Sequence, residues 1–152
     1  MQRVIVDAGP LIGWFDANDA HHPSVRAFLD AYGGELLSTW PVLVEVCHLL
    51  PERMVADFLR WVGRGGVTVV DVPVSALAGL ADRIDKYADL PIDMADASII
   101  WLAETLGLLE VLTIDRRDSG IYRTARGQAL RNMLFDAPPA APVRRRAVRR
   151  KR

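Results

Sequence analysis

Strand-like and helix-like stretches alternate along this chain, and the alternation predicts an α/β fold. Helices should cover both faces of a mostly parallel sheet of four to five strands, a three-layer α/β/α sandwich. Three observations carry this. RVIVD (3–7) is a short β-branched apolar run of the kind that makes a buried strand. Stretches with apolar residues at helical spacing separate it from further strand-like runs. Glycines stand at the junctions and break one element before the next.

After RVIVD, HPSVRAFLDAY (22–32) puts Val25, Phe28, Leu29 and Tyr32 on one helical side, and Gly33-Gly34 stops it. ELLST (35–39) is the second strand. Ser38 or Thr39 can cap the following helix, about 41–50, with Pro41 in its first turn. PERMVADFLRWV (51–62) is another helix. Gly63, Gly65 and Gly66 then precede VTVVDV (67–72), the third strand. Residues 74–87 predict a helix with Leu77, Leu80, Ala81 and Ile84 inward. LPIDMADASIIWLAE (90–104) is a helix ending near Gly107, and EVLTID (110–115) is the fourth strand. ALRNML (129–134), after the turn-like ARGQ, supplies the fifth.

The 152 residues suffice for one domain with a proper core. No apolar run approaches the roughly 20 residues that span a bilayer, and MQRVIVDAGP lacks the pattern of a signal peptide, so a cytoplasmic protein without membrane contact is expected. The one cysteine, Cys47, cannot form an internal disulfide and reads as a small core residue. The zero net charge hides an asymmetry. Seven of the 19 basic residues lie in RRRAVRRKR (144–152), leaving 12 against 19 acids in the rest. The expected division is a globular domain over 1–135, then a Pro/Ala linker (DAPPAAPV, 136–143) leading to a basic tail. The tail reads as a solvated end that can also serve as an electrostatic arm for RNA.

Four acids fall where the pattern predicts burial or a strand edge. Asp7 ends the first predicted strand and Asp115 the fourth; carboxyl edges are where parallel sheets build sites. Glu45 and Asp96 lie on helical faces otherwise fit for packing: Val42, Val46 and Leu49 flank the first, and Ile92, Ile99, Ile100 and Ala103 the second. Singly, each has an ordinary reading, as a turn residue, a cap or an ion-pair partner. Asp96 is the hardest to explain so, because it begins no obvious element, and Asp93 is the better N-cap. Lone buried carboxylates are costly and clustered ones repel; a divalent cation resolves both, and hard oxygen donors favour Mg²⁺ or Mn²⁺.

The segments VDAGPLIGWFD, STWPVLVEVCHLL, LPIDMADASIIWLAE and VLTIDRRDSGIYR, in this order, resemble PIN-domain ribonucleases, most of all the VapC-type toxins of toxin–antitoxin pairs. The likeness spans residues 3 to about 134 and implies a PIN-like sandwich, which agrees with the pattern above. It implies that Asp7, Glu45, Asp96 and Asp115 form a catalytic cluster. Asp7, Asp96 and Asp115 would hold Mg²⁺ (or Mn²⁺), with Glu45 and Asp118 as further ligands and Asp93 a weaker candidate. Single-stranded or loop RNA would be the substrate, with a small antitoxin and a second copy of the chain as partners. Arg116, Arg117, Thr113 and Arg123 are candidate RNA contacts near the fourth acid. Two positions depart from the common pattern. Ala8-Gly9-Pro10 offers no hydroxyl after Asp7, and Ser119 stands where an aromatic is frequent.

The reaction expected is metal-assisted phosphodiester hydrolysis by activated water. The competing readings are a housekeeping RNA-processing nuclease and a non-catalytic RNA-binding or assembly protein. A dehalogenase-type phosphatase is set aside, because the position two after Asp7 is Gly9. Tyr122 reads mainly as a packing residue, the four tryptophans as core or interface residues, His21 and His22 as a loop pair, and His48 as helix surface.

Overall fold

The structure, a computed structural model, describes residues 1–115 and 122–135. In chain order it has β1 (Arg3–Val6), α1 (Ala8–Phe15), α2 (His22–Ala31), β2 (Glu35–Thr39), α3 (Trp40–Leu49), α4 (Glu52–Gly63) and β3 (Thr68–Val70). A 3₁₀ turn (Val74–Ala76) leads into α5 (Leu77–Lys86), then α6 (Met94–Leu106), β4 (Glu110–Leu112) and β5 (Arg131–Asn132). The five strands form one parallel sheet ordered β3-β2-β1-β4-β5. The α/β expectation holds, with all five strands present.

The order of the strands locates the site. From β1 the chain winds outward through β2 to β3, then returns to place β4 on the other side of β1. The winding direction therefore reverses between β1 and β4, and a crevice opens there beyond their carboxyl ends. Val4, Ile5 and Val6 of β1 are fully buried, as a central parallel strand covered on both sides requires.

The helix α1 was not legible in advance. Gly9-Pro10 reads as a turn, yet Pro10 is the third helical residue, where a backbone N–H has no partner within the helix in any case. Asp7 caps this helix, its Oδ1 accepting from Ala8 N at 2.8 Å. Phe15 at its end packs edge-on against Phe58 and Trp61 of α4. Within the helix, Gly9 lies so close to the chain after β4 that a Cβ on it would sit 2.4 Å from Ile114 Cγ1.

Two expected boundaries shift. The helix over 74–87 begins as the 3₁₀ turn, and of its expected inward residues only Leu80 is buried, while Leu77, Ala81 and Ile84 face outward. α5 thus packs along a narrow stripe against α6. β4 ends at Leu112, so Asp115 lies three residues beyond the strand. α6 starts at a reciprocal cap: Asp93 Oδ1 accepts from Asp96 N at 2.9 Å and Asp96 Oδ2 accepts from Asp93 N at 3.1 Å. It ends at Gly107, left-handed at φ 61°. Ile99, Ile100, Leu102 and Ala103 are buried along it. Among the described residues no helix is long and apolar enough to cross a membrane. Arg116, Arg117, Asp118, Ser119 and the expected linker and tail lie outside the described residues.

Candidate active site

At the reversal between β1 and β4, Asp7 follows β1 directly and Thr113 follows β4 directly. Asp7 N donates to Leu112 O at 3.0 Å, carrying the β1–β4 pairing one step past the strand. The Thr113 hydroxyl then donates to Asp7 Oδ2 at 3.2 Å and accepts from Asp115 N at 3.2 Å. One hydroxyl thereby ties the first acid to the fourth.

Asn132 on β5, fully buried, fixes Thr113 in turn. Its Nδ2 donates to Thr113 O at 2.9 Å, and its Oδ1 accepts from Leu134 N at 3.1 Å. A polar residue within the apolar run ALRNML was the available signal for this role, and it was not singled out. A second buried set lies behind the site. Ser38 donates to Val6 O at 2.8 Å, and the Thr39 and Ser98 hydroxyls share a 2.6 Å bond. Thr39 is the N-cap residue of α3, as expected, but its hydroxyl bonds to Ser98 of α6 rather than to the N–H groups of α3.

Asp7 and Asp96 line one pocket with Thr113, Ile99, Ile100 and Tyr122. Tyr122 is buried and packs edge-on against Tyr87, the packing role expected of it. Glu45 on α3 lines the adjoining groove with Asp93. Asp93 is more than a cap, because its charge acts on Asp7, Glu45 and Asp96 alike. Asp96, conversely, has a capping role in the first turn of α6.

Burial raises the Asp7 carboxyl above the usual carboxylate range, against the hydrogen bonds from Ala8 and Thr113, and the charges of Asp93 and Asp115 add to the rise. Burial likewise pushes Glu45 up to about 7, assisted by Asp93 and then Asp7. Asp96 also rises to about 7, chiefly by burial and partly through the charges of Asp93 and Asp7. Among the described residues the ion pairs are Arg26–Asp30, Arg60–Asp57, Arg83–Glu104 and Arg131–Glu110. None of them reaches Asp7, Glu45 or Asp96.

This donor set of carboxylate and hydroxyl oxygens, self-repelling and without a paired cation at those three acids, fits a hard divalent ion. Among the described residues no three acid, His or Cys side chains converge as a ready cage. The fit is therefore to an ion held by one or two carboxylates and otherwise by water, the usual habit of Mg²⁺. Arg123 turns away from this centre. Its guanidinium donates to Gly127 O at 3.0 Å, and its carbonyl accepts from Arg83, which also pairs with Glu104.

The PIN domain model matches residues 4–127. The chain belongs to the PIN-domain family. Among its relatives is ribonuclease VapC26 of Mycobacterium tuberculosis, 27% identical over 128 residues, covering 82% of this chain and 95% of that protein. The crystal structure of M. tuberculosis VapC20, described as a sarcin–ricin loop cleaving toxin, superposes with a TM-score of 0.67 at 16% identity. It covers 76% of this chain and 92% of that one and shares the PIN-like fold. A 66-residue segment is also 41% identical to part of a ribosomal protein uS12 methylthiotransferase RimO from Anaeromyxobacter. That match spans only 13% of the enzyme and carries no functional argument.

Proposed function

We propose that this PIN-domain protein is a Mg²⁺- or Mn²⁺-dependent endoribonuclease that cuts single-stranded or loop RNA and acts as the toxin of a toxin–antitoxin pair. The supporting observation is the convergence of Asp7 and Asp96 on one pocket at the sheet's reversal point, beside Thr113 and within the field of Asp93. The likeness to ribonuclease VapC26 supports the ribonuclease part of the reading.

In this reading Asp7, Asp96 and Asp115 would hold the ion directly or through water, and Glu45 would complete the shell or orient the attacking water. Asp118, outside the described residues, is a further ligand. The bound ion lowers the pKa of the attacking water and offsets charge building on the phosphate. Thr113 keeps Asp7 in one rotamer by its hydrogen bond and holds the chain at Asp115. Glu45, half-buried and lining the groove, would orient the attacking water if it does not complete the ion's shell. Ile99 and Ile100 make the pocket's apolar wall and limit bulk water. Arg116 and Arg117 supply a cationic rim against the repulsion between acids and RNA, and the basic tail adds a sequence-independent arm. A small antitoxin and a homodimer complete the proposal, in a cytoplasmic setting.

The test is incubation of purified protein with a pool of structured RNAs in Mg²⁺ or Mn²⁺, beside EDTA and Asp96→Asn controls. Metal-dependent cuts that vanish in Asp96→Asn are the expected result. A folded, partner-free protein that cuts nothing in either metal returns the chain to the RNA-binding reading.

A further inference from the structure

Glu45 and Asp93, the latter hydrogen-bonded to Asp96, line a groove with Trp40, Val44 and Met94 as its large apolar residues. These three are 51%, 67% and 45% exposed, and they lie together on one groove. Trp40 was expected to be a core or interface residue, and it is not in the core. It stands instead at the first position of α3, next to the carboxyl end of β2, with half of its surface open. The indole is also held: Nε1 donates to Asp71 Oδ1 at 2.6 Å, across the groove's rim.

We propose that Trp40 is the stacking platform for an unpaired base of the RNA next to the scissile phosphate, and thus a substrate-positioning residue. This rests on the ribonuclease reading above. Asp93 lines the same groove as Trp40 and is hydrogen-bonded to Asp96, so a nucleoside next to a phosphate held at the acid cluster would lie over this groove. The groove's lining acids, Glu45, Asp71 and Asp93, disfavour a phosphate backbone along its floor, whereas an uncharged base meets an aromatic and aliphatic surface. Fixing the indole beforehand through Asp71 lowers the ordering cost of stacking. A base held there can be unpaired but not part of a duplex, which gives a physical reason for preferring single-stranded or loop substrates.

The test compares wild type, Trp40→Ala and Trp40→Phe, with far-UV circular dichroism to confirm that each folds. Affinity for a mixed-sequence single-stranded RNA is read by fluorescence anisotropy in Ca²⁺. Cleavage of the RNA pool is read in Mg²⁺, and the oligomeric state by sedimentation. Trp40→Ala should weaken RNA binding by about fivefold to a hundredfold, while Trp40→Phe stays within about threefold. The affinity difference between single-stranded RNA and duplex should shrink in Trp40→Ala. Equal RNA affinity in wild type and Trp40→Ala overturns the proposal. So does a Trp40→Ala protein that changes only its oligomeric state, which would make the groove an interface between copies. Because binding is read apart from cleavage, a protein that binds RNA through Trp40 without cutting it would reject the ribonuclease reading alone.

Discussion

The Thr113 hydroxyl donates to Asp7 Oδ2 at 3.2 Å across 106 residues of chain and accepts from Asp115 N at the same distance. It is the link between the two sheet ends that build the site. Thr113→Val keeps the shape and removes the hydroxyl. A hydrogen bond to a charged group contributes about 1.5–3 kcal/mol. RNA cleavage should therefore fall by about tenfold to a hundredfold in Thr113→Val and recover in Thr113→Ser, measured as kcat/KM on one RNA. Full activity in the valine variant would mean that Asp7 needs no such support.

Asp96 does two things that substitution can separate. Asparagine retains an oxygen to accept from Asp93 N, so the cap of α6 survives; alanine removes it. Asp96→Ala should lose about 1 kcal/mol of stability relative to Asp96→Asn, or roughly 2–4 °C in Tm for a chain of this size. Both variants should lose the rise in Tm that Mg²⁺ produces in wild type. Calorimetry with and without Mg²⁺ reads both effects, and a metal response persisting in Asp96→Asn would remove Asp96 from the ligand set.

The pH dependence follows from Glu45 and Asp96, whose carboxyls folding raises from 4.5 and 3.8 to about 7. The unfolded chain then releases those protons more readily than the folded one. The folded state gains its full advantage below about pH 4 and loses it as pH rises through about 7. Both groups are partly open to water, so after screening each contributes on the order of 1 kcal/mol. Metal-free protein in EDTA should have a lower Tm at about pH 8 than at about pH 5, and Asp96→Asn should flatten the slope. The stabilisation by Mg²⁺ should grow over the same interval, because only ionised carboxylates bind it. A Tm in EDTA that climbs steadily from about pH 5 to 8 contradicts this.

Gly9 is fixed by packing against Ile114, since a Cβ there would lie 2.4 Å from Cγ1 and 2.6 Å from Cδ1. Gly9→Ala should cost about 1–3 kcal/mol by overpacking and should displace the chain at Asp115, lowering cleavage as well. Ile114→Ala alone removes the obstructing atoms. The double variant should be more stable than the sum of the two single changes implies, a non-additivity that denaturant melts measure directly.

Much of the fold was legible because its signals are local. RVIVD, ELLST and the Gly107 stop declare themselves through β-branching, apolar clustering and backbone freedom within a few residues. Asp93 as N-cap was legible for the same reason. What failed was also local in cause. Gly9-Pro10 hid α1, because a proline tolerated in a first turn looks like a turn signal until the helix around it is known. Helical spacing on α5 promised four inward residues, yet α5 packs chiefly along α6, and of those four Leu80 alone is buried.

The sequence by itself determined the alternation of strands and helices, the positions of the four acids, and the acidic body with its basic tail. These depend on residue type and spacing. Only the tertiary structure decided that Asp93 acts on the other acids, that Asn132 and Thr113 brace Asp7, and that Trp40 lies open beside the groove. Each of those depends on which strands become neighbours. The parallel order β3-β2-β1-β4-β5 joins segments more than 100 residues apart at one sheet edge. Such pairing is set by burial summed over the whole core, and no short stretch of chain records it.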